Sequence, residues 1–194
     1  MEIIIHRVNS IKKLKKIPNN FGVEIDLRTY KSKIILNHEP FKDGDTLENF
    51  LRYYNHGTLI LNIKDNGIED KVIKKVMKAK IKSFFLLDVE FPYIFKSIKN
   101  KQKNIAIRFS EKEPIESAKL FQNNFKWLWI DTLTKLPLNK NNIKIVKNFK
   151  SCVVCPERWN RPDEIEIIKK KMKYFNFKPN AVMTSLKYVK IWLK

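Results

Sequence analysis

The chain has 194 residues, of which 43% are hydrophobic and four are glycine, and its formal net charge is +20. This length supports one sizeable hydrophobic core rather than two, and the composition excludes a flexible or low-complexity chain. No stretch approaches the roughly 20 continuous apolar residues that a membrane span needs.

The excess of basic residues is typical of proteins that bind nucleic acid or an anionic membrane surface. The lysines are nevertheless spread through nearly every polar segment, for example at Lys74, Lys75 and Lys78. This spread favours a solvated surface, and such a surface would still attract an anionic substrate. A basic nucleic-acid-binding protein is an alternative that no recognisable motif supports, and peripheral membrane contact also stays open.

The amino terminus and the cysteines predict a location. Residues 1–6 lack the basic start and long apolar stretch of a signal peptide, and they are interpreted as a strand. Two cysteines do not form a disulfide framework, which favours a reducing cytoplasm. Cys152 and Cys155 have a redox-like spacing, but on a predicted strand they face opposite sides, so both are expected in the core.

Eight short apolar runs alternate with segments of helical spacing along the whole chain. Continuous runs of this kind are typical of parallel strands that are buried on both faces. The predicted strands are Ile3–His6, Gly22–Leu27, Leu59–Lys64, Phe84–Asp88, Ile105–Phe109, Trp127–Asp131, Cys152–Cys155 and Ala181–Thr184. The predicted helices are Ser10–Lys16, Thr46–Tyr54, Glu69–Lys80, Pro92–Lys99, Pro114–Gln122, Asn141–Asn148, Pro162–Phe175 and Leu186–Leu193.

Eight strand-then-helix units in order predict an α/β fold, a single small (β/α)₈ TIM barrel over residues 1–194. The additional run Lys33–His38 is expected to be a short strand excursion after the second strand. Asp45 is the predicted N-cap of the second helix, with Glu48 three residues later.

Polar residues mark the ends of several predicted strands. Glu24 and Asp26 share one face of the second strand, with Cα atoms roughly 6.7 Å apart. Two carboxylates inside a strand end are costly unless a cation or strong donors satisfy them, and a divalent metal ion is the simplest solution. Because active sites of such barrels lie at the C-terminal strand ends, other polar residues there are candidates for the same site: His6, Arg7, Asn62, Lys64, Asp88, Arg108, Asp131 and Glu157.

The ordered set His6-Arg7, then Glu24-Ile25-Asp26, then His38 resembles the glycerophosphodiester phosphodiesterases, which belong to the phospholipase-C-like phosphodiesterase barrels. The resemblance implies that His6 and His38 are the general acid and base. It also implies that Glu24 and Asp26 hold Ca²⁺ or Mg²⁺, and that Arg7 binds phosphoryl oxygens. The implied activity is metal-dependent hydrolysis of a phosphodiester, either a small molecule or a lipid head group.

Two positions depart from the family pattern. Glu39 stands after the second histidine, where the family generally has Asp. Asn62 stands where the family has a metal-binding Glu, two residues before the retained Lys64. A neutral amide oxygen is a weaker ligand, and Glu157 is the candidate replacement.

Several of these candidate site residues also have simpler, structural interpretations. His6 and His38 could be ordinary strand-end residues, and Lys64 could form a structural ion pair with Asp26 or Glu24 instead of contacting substrate beside Arg7 and Arg108. Trp159 is expected on a loop above the site, whereas His56 precedes its strand and is expected at the opposite face. Asn62 also motivates the alternative of a barrel that binds a phosphate-containing ligand without cleaving it.

Overall fold

The computed structural model describes all 194 residues of the chain. Eight parallel strands alternate with helices, which confirms the predicted (β/α)₈ barrel fold class. The predicted excursion is also present, as a ninth strand that pairs antiparallel with the second and places Leu36 opposite Leu27. The chain divides into two compact units, here called the amino-terminal unit (residues 4–100) and the carboxy-terminal unit (residues 1–3 and 101–194).

The amino-terminal unit holds parallel strands in the order β5-β4-β2-β1, with β3 paired to β2. Asp26 of β2 is the register partner of Asn62 of β4. The elements are β1 Glu2–Ile5, α1 Ile11–Leu14, β2 Gly22–Tyr30, β3 Lys33–Leu36, α2 Leu47–Arg52, β4 Leu59–Ile63, α3 Glu69–Lys78, β5 Phe84–Leu87 and α4 Phe91–Lys99.

The carboxy-terminal unit holds parallel strands in the order β9-β8-β7-β6. Its first residues join the same sheet, since the backbone N of Glu2 donates to the carbonyl of Asn180 at 2.8 Å. The elements are β6 Ala106–Phe109, α5 Ile115–Lys119, β7 Trp127–Ile130, α6 Ile143–Val146, β8 Lys150–Val154, α7 Ile165–Tyr174, β9 Ala181–Thr184 and α8 Val189–Leu193, with 3-10 turns at Pro156–Trp159, Pro162–Glu164 and Leu186–Tyr188.

The core consists of the continuous apolar strands and the helix faces that cover them. Every residue of β4 and of β5 is buried, as expected for parallel strands enclosed on both faces. Phe50 of α2 and Phe85 of β5 are completely buried. Cys152 and Cys155 are free and buried, which confirms the prediction that they are core residues.

Two local predictions were wrong in detail. The N-cap of α2 is Thr46, whose side chain accepts from Asn49 N, and not Asp45. Asp45 Oδ2 instead accepts from the backbone N of Ile11 at 2.7 Å, so the pairing of distant segments outweighs the local capping pattern. The helix predicted from Pro162 begins with a 3-10 turn before α7. No helix of the chain has the length and apolarity required to cross a membrane.

Candidate functional site

Glu24 and Asp26 lie on one face of β2, and both side chains are 1% exposed. This burial is consistent with the inward orientation predicted from strand alternation. Asn62, on the neighbouring strand β4, donates from Nδ2 to Glu24 Oε1 at 3.0 Å. The three side chains therefore form one buried polar cluster at the C-terminal ends of adjacent strands.

The segment that follows β1 holds the carboxylate of Glu24. The backbone N of Arg7 donates to Glu24 Oε2 at 2.7 Å, and His6 Nε2 lies 3.8 Å from the same oxygen. Arg7 adopts a left-handed backbone with φ of 53°, which is uncommon for a residue other than glycine and orients this N–H. Burial and the charge of Asp26 raise the pKa of Glu24 to about 7, and the donors Asn62 and Arg7 oppose that rise.

Asp26 is fixed by one residue that the sequence patterns did not single out. Asn9 Nδ2 donates to Asp26 Oδ2 at 2.8 Å, and the backbone N of Asp26 donates to Asn9 Oδ1 at 2.8 Å. The second carboxylate oxygen, Oδ1, is buried and has no hydrogen-bond partner. The ammonium of Lys64 lies 3.6 Å from this oxygen, beyond hydrogen-bond distance.

Lys64 and Arg7 supply the positive charge around Asp26. Lys64 Nζ donates to Asp88 Oδ2 at 3.3 Å, so it links the ends of β4 and β5. Arg7 Nε lies 3.9 Å from Asp26 Oδ2 and is itself buried without a hydrogen-bond partner. The ion-pair interpretation of Lys64 is thus supported by geometry, and a contact with substrate stays a prediction.

The loop after β3 returns His38 to the end of β2. The backbone N of Asn37 donates to the carbonyl of Asp26 at 3.1 Å, which fixes the loop one residue before His38. Arg28 Nε donates to the carbonyl of His38 at 3.0 Å. His38 Nδ1 lies 2.7 Å from Glu39 Oε1, and the hydrogen bond with His38 lowers the pKa of Glu39. Glu39 therefore orients the imidazole and leaves Nε2 as its second nitrogen.

Arg28 and Asp65 support this loop, and no sequence pattern predicted either residue. Arg28 Nη1 donates to Asp65 Oδ1 at 2.6 Å. Asp65 Oδ2 accepts from the backbone N of Thr29 at 2.6 Å and from its hydroxyl at 2.8 Å. No local pattern indicates these contacts, because they join residues more than 30 positions apart.

The remaining predicted site residues lie in the carboxy-terminal unit. Arg108 Nε donates to Glu113 at 2.5 Å, and Arg108 Nη2 donates to Asp131 at 3.0 Å. Trp159 Nε1 donates to the other oxygen of Asp131 at 2.9 Å. The substrate role of Arg108 stays a prediction.

Glu157 has partners of its own in that unit. Its Oε1 accepts from Thr184 Oγ1 at 2.9 Å and from the backbone N of Ser185 at 2.7 Å. The proposed role of Glu157 as a replacement metal ligand also stays a prediction. His56, expected away from the site, lies 3.1 Å from the carbonyl of Ile17 through Nε2.

Glu24, Asp26 and Asn62, here called the amino-terminal cluster, present carboxylate and amide oxygens, the ligand type that divalent cations such as Ca²⁺ prefer. The chain contains no group of three or more His, Cys, Asp or Glu side chains arranged to hold a metal ion. Asp26 Oδ1 and Asn62 Oδ1, on register-paired residues, are nevertheless both buried without a hydrogen-bond partner. Buried oxygen atoms without a hydrogen-bond partner are suited to coordinate Ca²⁺ or Mg²⁺. Glu24 is the second carboxylate next to them.

Comparison with known proteins supports the fold resemblance. A glycerophosphoryl diester phosphodiesterase from Parabacteroides distasonis ATCC 8503 is 14% identical, with a TM-score of 0.64 over 95% of this chain and 82% of that chain. A protein from Agrobacterium tumefaciens str. C58, named as a candidate glycerophosphoryl diester phosphodiesterase, is 11% identical, with a TM-score of 0.66 over 100% of this chain and 96% of that chain. No protein-family model matches the chain, and no curated protein matches it in sequence. The chain therefore shares the barrel fold of these two structures.

Proposed function

We propose that the chain is a phosphodiester hydrolase that uses a divalent cation held at the amino-terminal cluster. The observation that carries this proposal is the pair of buried, unpartnered oxygens Asp26 Oδ1 and Asn62 Oδ1 beside Glu24. Buried polar atoms without a partner are rare in folded proteins, and their coincidence on neighbouring strands points to a ligand. The likeness to glycerophosphoryl diester phosphodiesterase structures supports the substrate class.

Asp26, Asn62 and Glu24 would hold the cation, which is Ca²⁺ or Mg²⁺. Such a cation polarises the phosphoryl group and offsets its developing negative charge. Asn9 contributes by fixing Asp26 so that Oδ1 stays the available oxygen. The raised pKa of Glu24 follows from burial beside Asp26, and a nearby positive charge would favour its ionised form.

Arg7 binds the substrate phosphate in this proposal. Its Nε has no hydrogen-bond partner, and its side chain is 38% exposed. The planar guanidinium matches two phosphoryl oxygens at once. The net charge of +20 additionally favours the approach of an anionic substrate.

In this proposal His38 and His6 transfer the two protons of the hydrolysis reaction. Water attacks phosphorus, the P–O bond to the leaving alkoxide breaks, and the products are a phosphomonoester and an alcohol. One histidine takes the proton from water and the other delivers a proton to the alkoxide. Because Glu39 contacts Nδ1 of His38, Nε2 is the nitrogen of His38 left for proton transfer. On the other histidine, Nε2 of His6 lies 3.8 Å from Glu24 Oε2.

The test is hydrolysis of bis(p-nitrophenyl) phosphate with Ca²⁺, with Mg²⁺ or with chelator. We expect activity with a cation, loss with chelator, and a loss of about a hundredfold or more in His38→Ala. His56→Ala is the matched control, because His56 contacts the Ile17 carbonyl and has no part in the proposed chemistry. Activity that is indifferent to chelator and to His38→Ala would refute the proposal.

A second candidate is a barrel that binds a phosphodiester without cleaving it. Asn62 favours it, since its Nδ2 donates to Glu24 where the family pattern supplies a third carboxylate. Calorimetry would then show binding of the phosphodiester without turnover. Hydrolysis that appears only in Asn62→Glu would identify the natural chain as this second type.

A further inference from the structure

Three lysines occupy neighbouring positions at the N-terminal edge of the carboxy-terminal unit. Lys103, Lys126 and Lys150 stand before or at the start of β6, β7 and β8. Backbone hydrogen bonds join them in a row, from Lys126 N to Lys103 O at 3.3 Å and from Lys150 N to Lys126 O at 2.8 Å. The three residues therefore lie along one edge of the sheet, at the N-terminal ends of adjacent strands.

The three lysines line an open cavity of about 340 Å³. The other lining side chains are mainly amides, among them Gln122, Asn124 and Asn148, and none of the lining residues is acidic. Asn148 Nδ2 donates to Gln122 Oε1 at 3.3 Å, which ties the two walls together. The cavity thus combines positive charge with hydrogen-bonding groups.

The lining of this cavity carries positive charge that no acidic side chain of the lining offsets. Lys150 is paired in register with Trp127, one residue after Lys126, and the lining supplies no carboxylate to neutralise the three ammonium groups. Lys150 Nζ lies 5.9 Å from the ring centroid of Trp127, within the range of a cation–π contact. A ligand with several phosphate oxygens would satisfy both the ammonium and the amide groups.

We propose that this cavity binds a compact, multiply charged phosphate compound, at a site separate from the Glu24–Asp26 cluster. The volume falls within the usual range for small-ligand sites. A membrane surface is disfavoured because Phe125, the apolar residue of the lining, is only 3% exposed and offers nothing to insert. The concave shape favours a small anion over an extended polymer, which would need a continuous groove.

Titration calorimetry of the full chain with inorganic tripolyphosphate tests the proposal. We expect one saturable site, and at least a tenfold weaker affinity in the triple variant Lys103→Gln, Lys126→Gln, Lys150→Gln. The matched control removes the same charge from the exposed face of α3, as Lys71→Gln, Lys74→Gln, Lys78→Gln, and should change affinity by less than about twofold. Equal weakening in both triple variants would show binding to overall charge and would overturn the proposal.

Single substitutions test the same site in case the triple variant does not fold. Asn148→Asp places a carboxylate among the lysines, so it should weaken tripolyphosphate about tenfold while the melting temperature stays near that of the natural chain. Glu24→Gln should leave tripolyphosphate binding intact, because Glu24 lies in the amino-terminal cluster and not in this cavity. Loss of binding in Glu24→Gln but not in Asn148→Asp would overturn the proposal. Absence of any tripolyphosphate binding, or binding only to oligonucleotides or to phosphatidylserine vesicles, would do so as well.

Discussion

Asn9 and Asp26 hold each other through two hydrogen bonds of 2.8 Å, one from each residue to the other. The side chain of Asn9 thereby satisfies both Oδ2 and the backbone N of Asp26. Asp26 Oδ1 is left as a buried oxygen without a hydrogen-bond partner. This relationship fixes which carboxylate oxygen is available to a ligand.

Asn9→Ala should destabilise the fold by about 1–3 kcal/mol, because it leaves two buried polar atoms of Asp26 without their partner. Urea unfolding measures the change. Asn55→Ala is the matched control, since Asn55 is an exposed asparagine of the same unit. Equal stability of the two variants would contradict the role assigned to Asn9.

Asn62→Asp should make stability depend on a divalent cation. The variant replaces a donor to Glu24 with a third buried carboxylate, so in chelator we expect a loss of about 3 kcal/mol. Excess Ca²⁺ or Mg²⁺ should restore most of the melting temperature, because a bound cation stabilises the folded state.

The control for that measurement is Asn142→Asp. Asn142 is also buried, and its Nδ2 donates to the carbonyl of Pro137. This variant should lose stability with no recovery on adding the cation. Identical melting curves of Asn62→Asp with chelator and with cation would argue against a cation at Asn62.

Glu39→Gln should lower kcat about tenfold with little change in KM, because Glu39 orients His38 and does not hold the phosphate. Adding Glu39→Gln to His38→Ala should cost nothing further, since the two residues act as one unit. Glu48→Gln, which changes an exposed glutamate of α2, is the control. If the losses of kcat in the two single variants add in the double variant, Glu39 does not act through His38.

Asp65 should contribute stability that acid removes. Burial raises its pKa, but the hydrogen bonds from Thr29 and Arg28 outweigh burial and lower the pKa below the ordinary 3.8. A carboxyl group with a lowered folded-state pKa stabilises the protein above its unfolded-state pKa and loses that effect as pH falls through the folded-state value.

Comparison of the natural chain with Asp65→Asn tests this contribution. At pH 7 the variant should be about 1 kcal/mol less stable, because solvent screens this carboxylate, and the difference in stability should narrow below pH 3.8. Asp163→Asn, at an exposed position, should show little difference at either pH. A gap that is constant from pH 7 to pH 3 would contradict the assignment.

The fold and the location of the carboxylates followed from sequence because they depend on short-range alternation. Glu24 and Asp26 are two apart on an apolar strand, so burial of the strand fixes their common face. The same logic placed Asn62 beside them, since it lies near the end of the next parallel strand.

Residues that act across large sequence separations were not predictable in this way. Asn9 meets Asp26 across 17 positions, and Arg28 meets Asp65 across 37. Asp45 carried a helix-capping pattern, yet it accepts from Ile11 N, 34 positions away. Each contact depends on where loops return to the strand ends, which periodicity does not encode.

Steady-state hydrolysis of a glycerophosphodiester by Glu24→Gln and by Glu69→Gln, in the presence of Ca²⁺ or Mg²⁺, tests directly whether the amino-terminal cluster is catalytic. Both residues are buried glutamates of the amino-terminal unit, but only Glu24 belongs to the cluster with Asp26 and Asn62. We predict that Glu24→Gln lowers kcat/KM by about a hundredfold or more, and that Glu69→Gln changes it by about twofold at most. Full activity of a folded Glu24→Gln variant would show that the cluster has no part in hydrolysis.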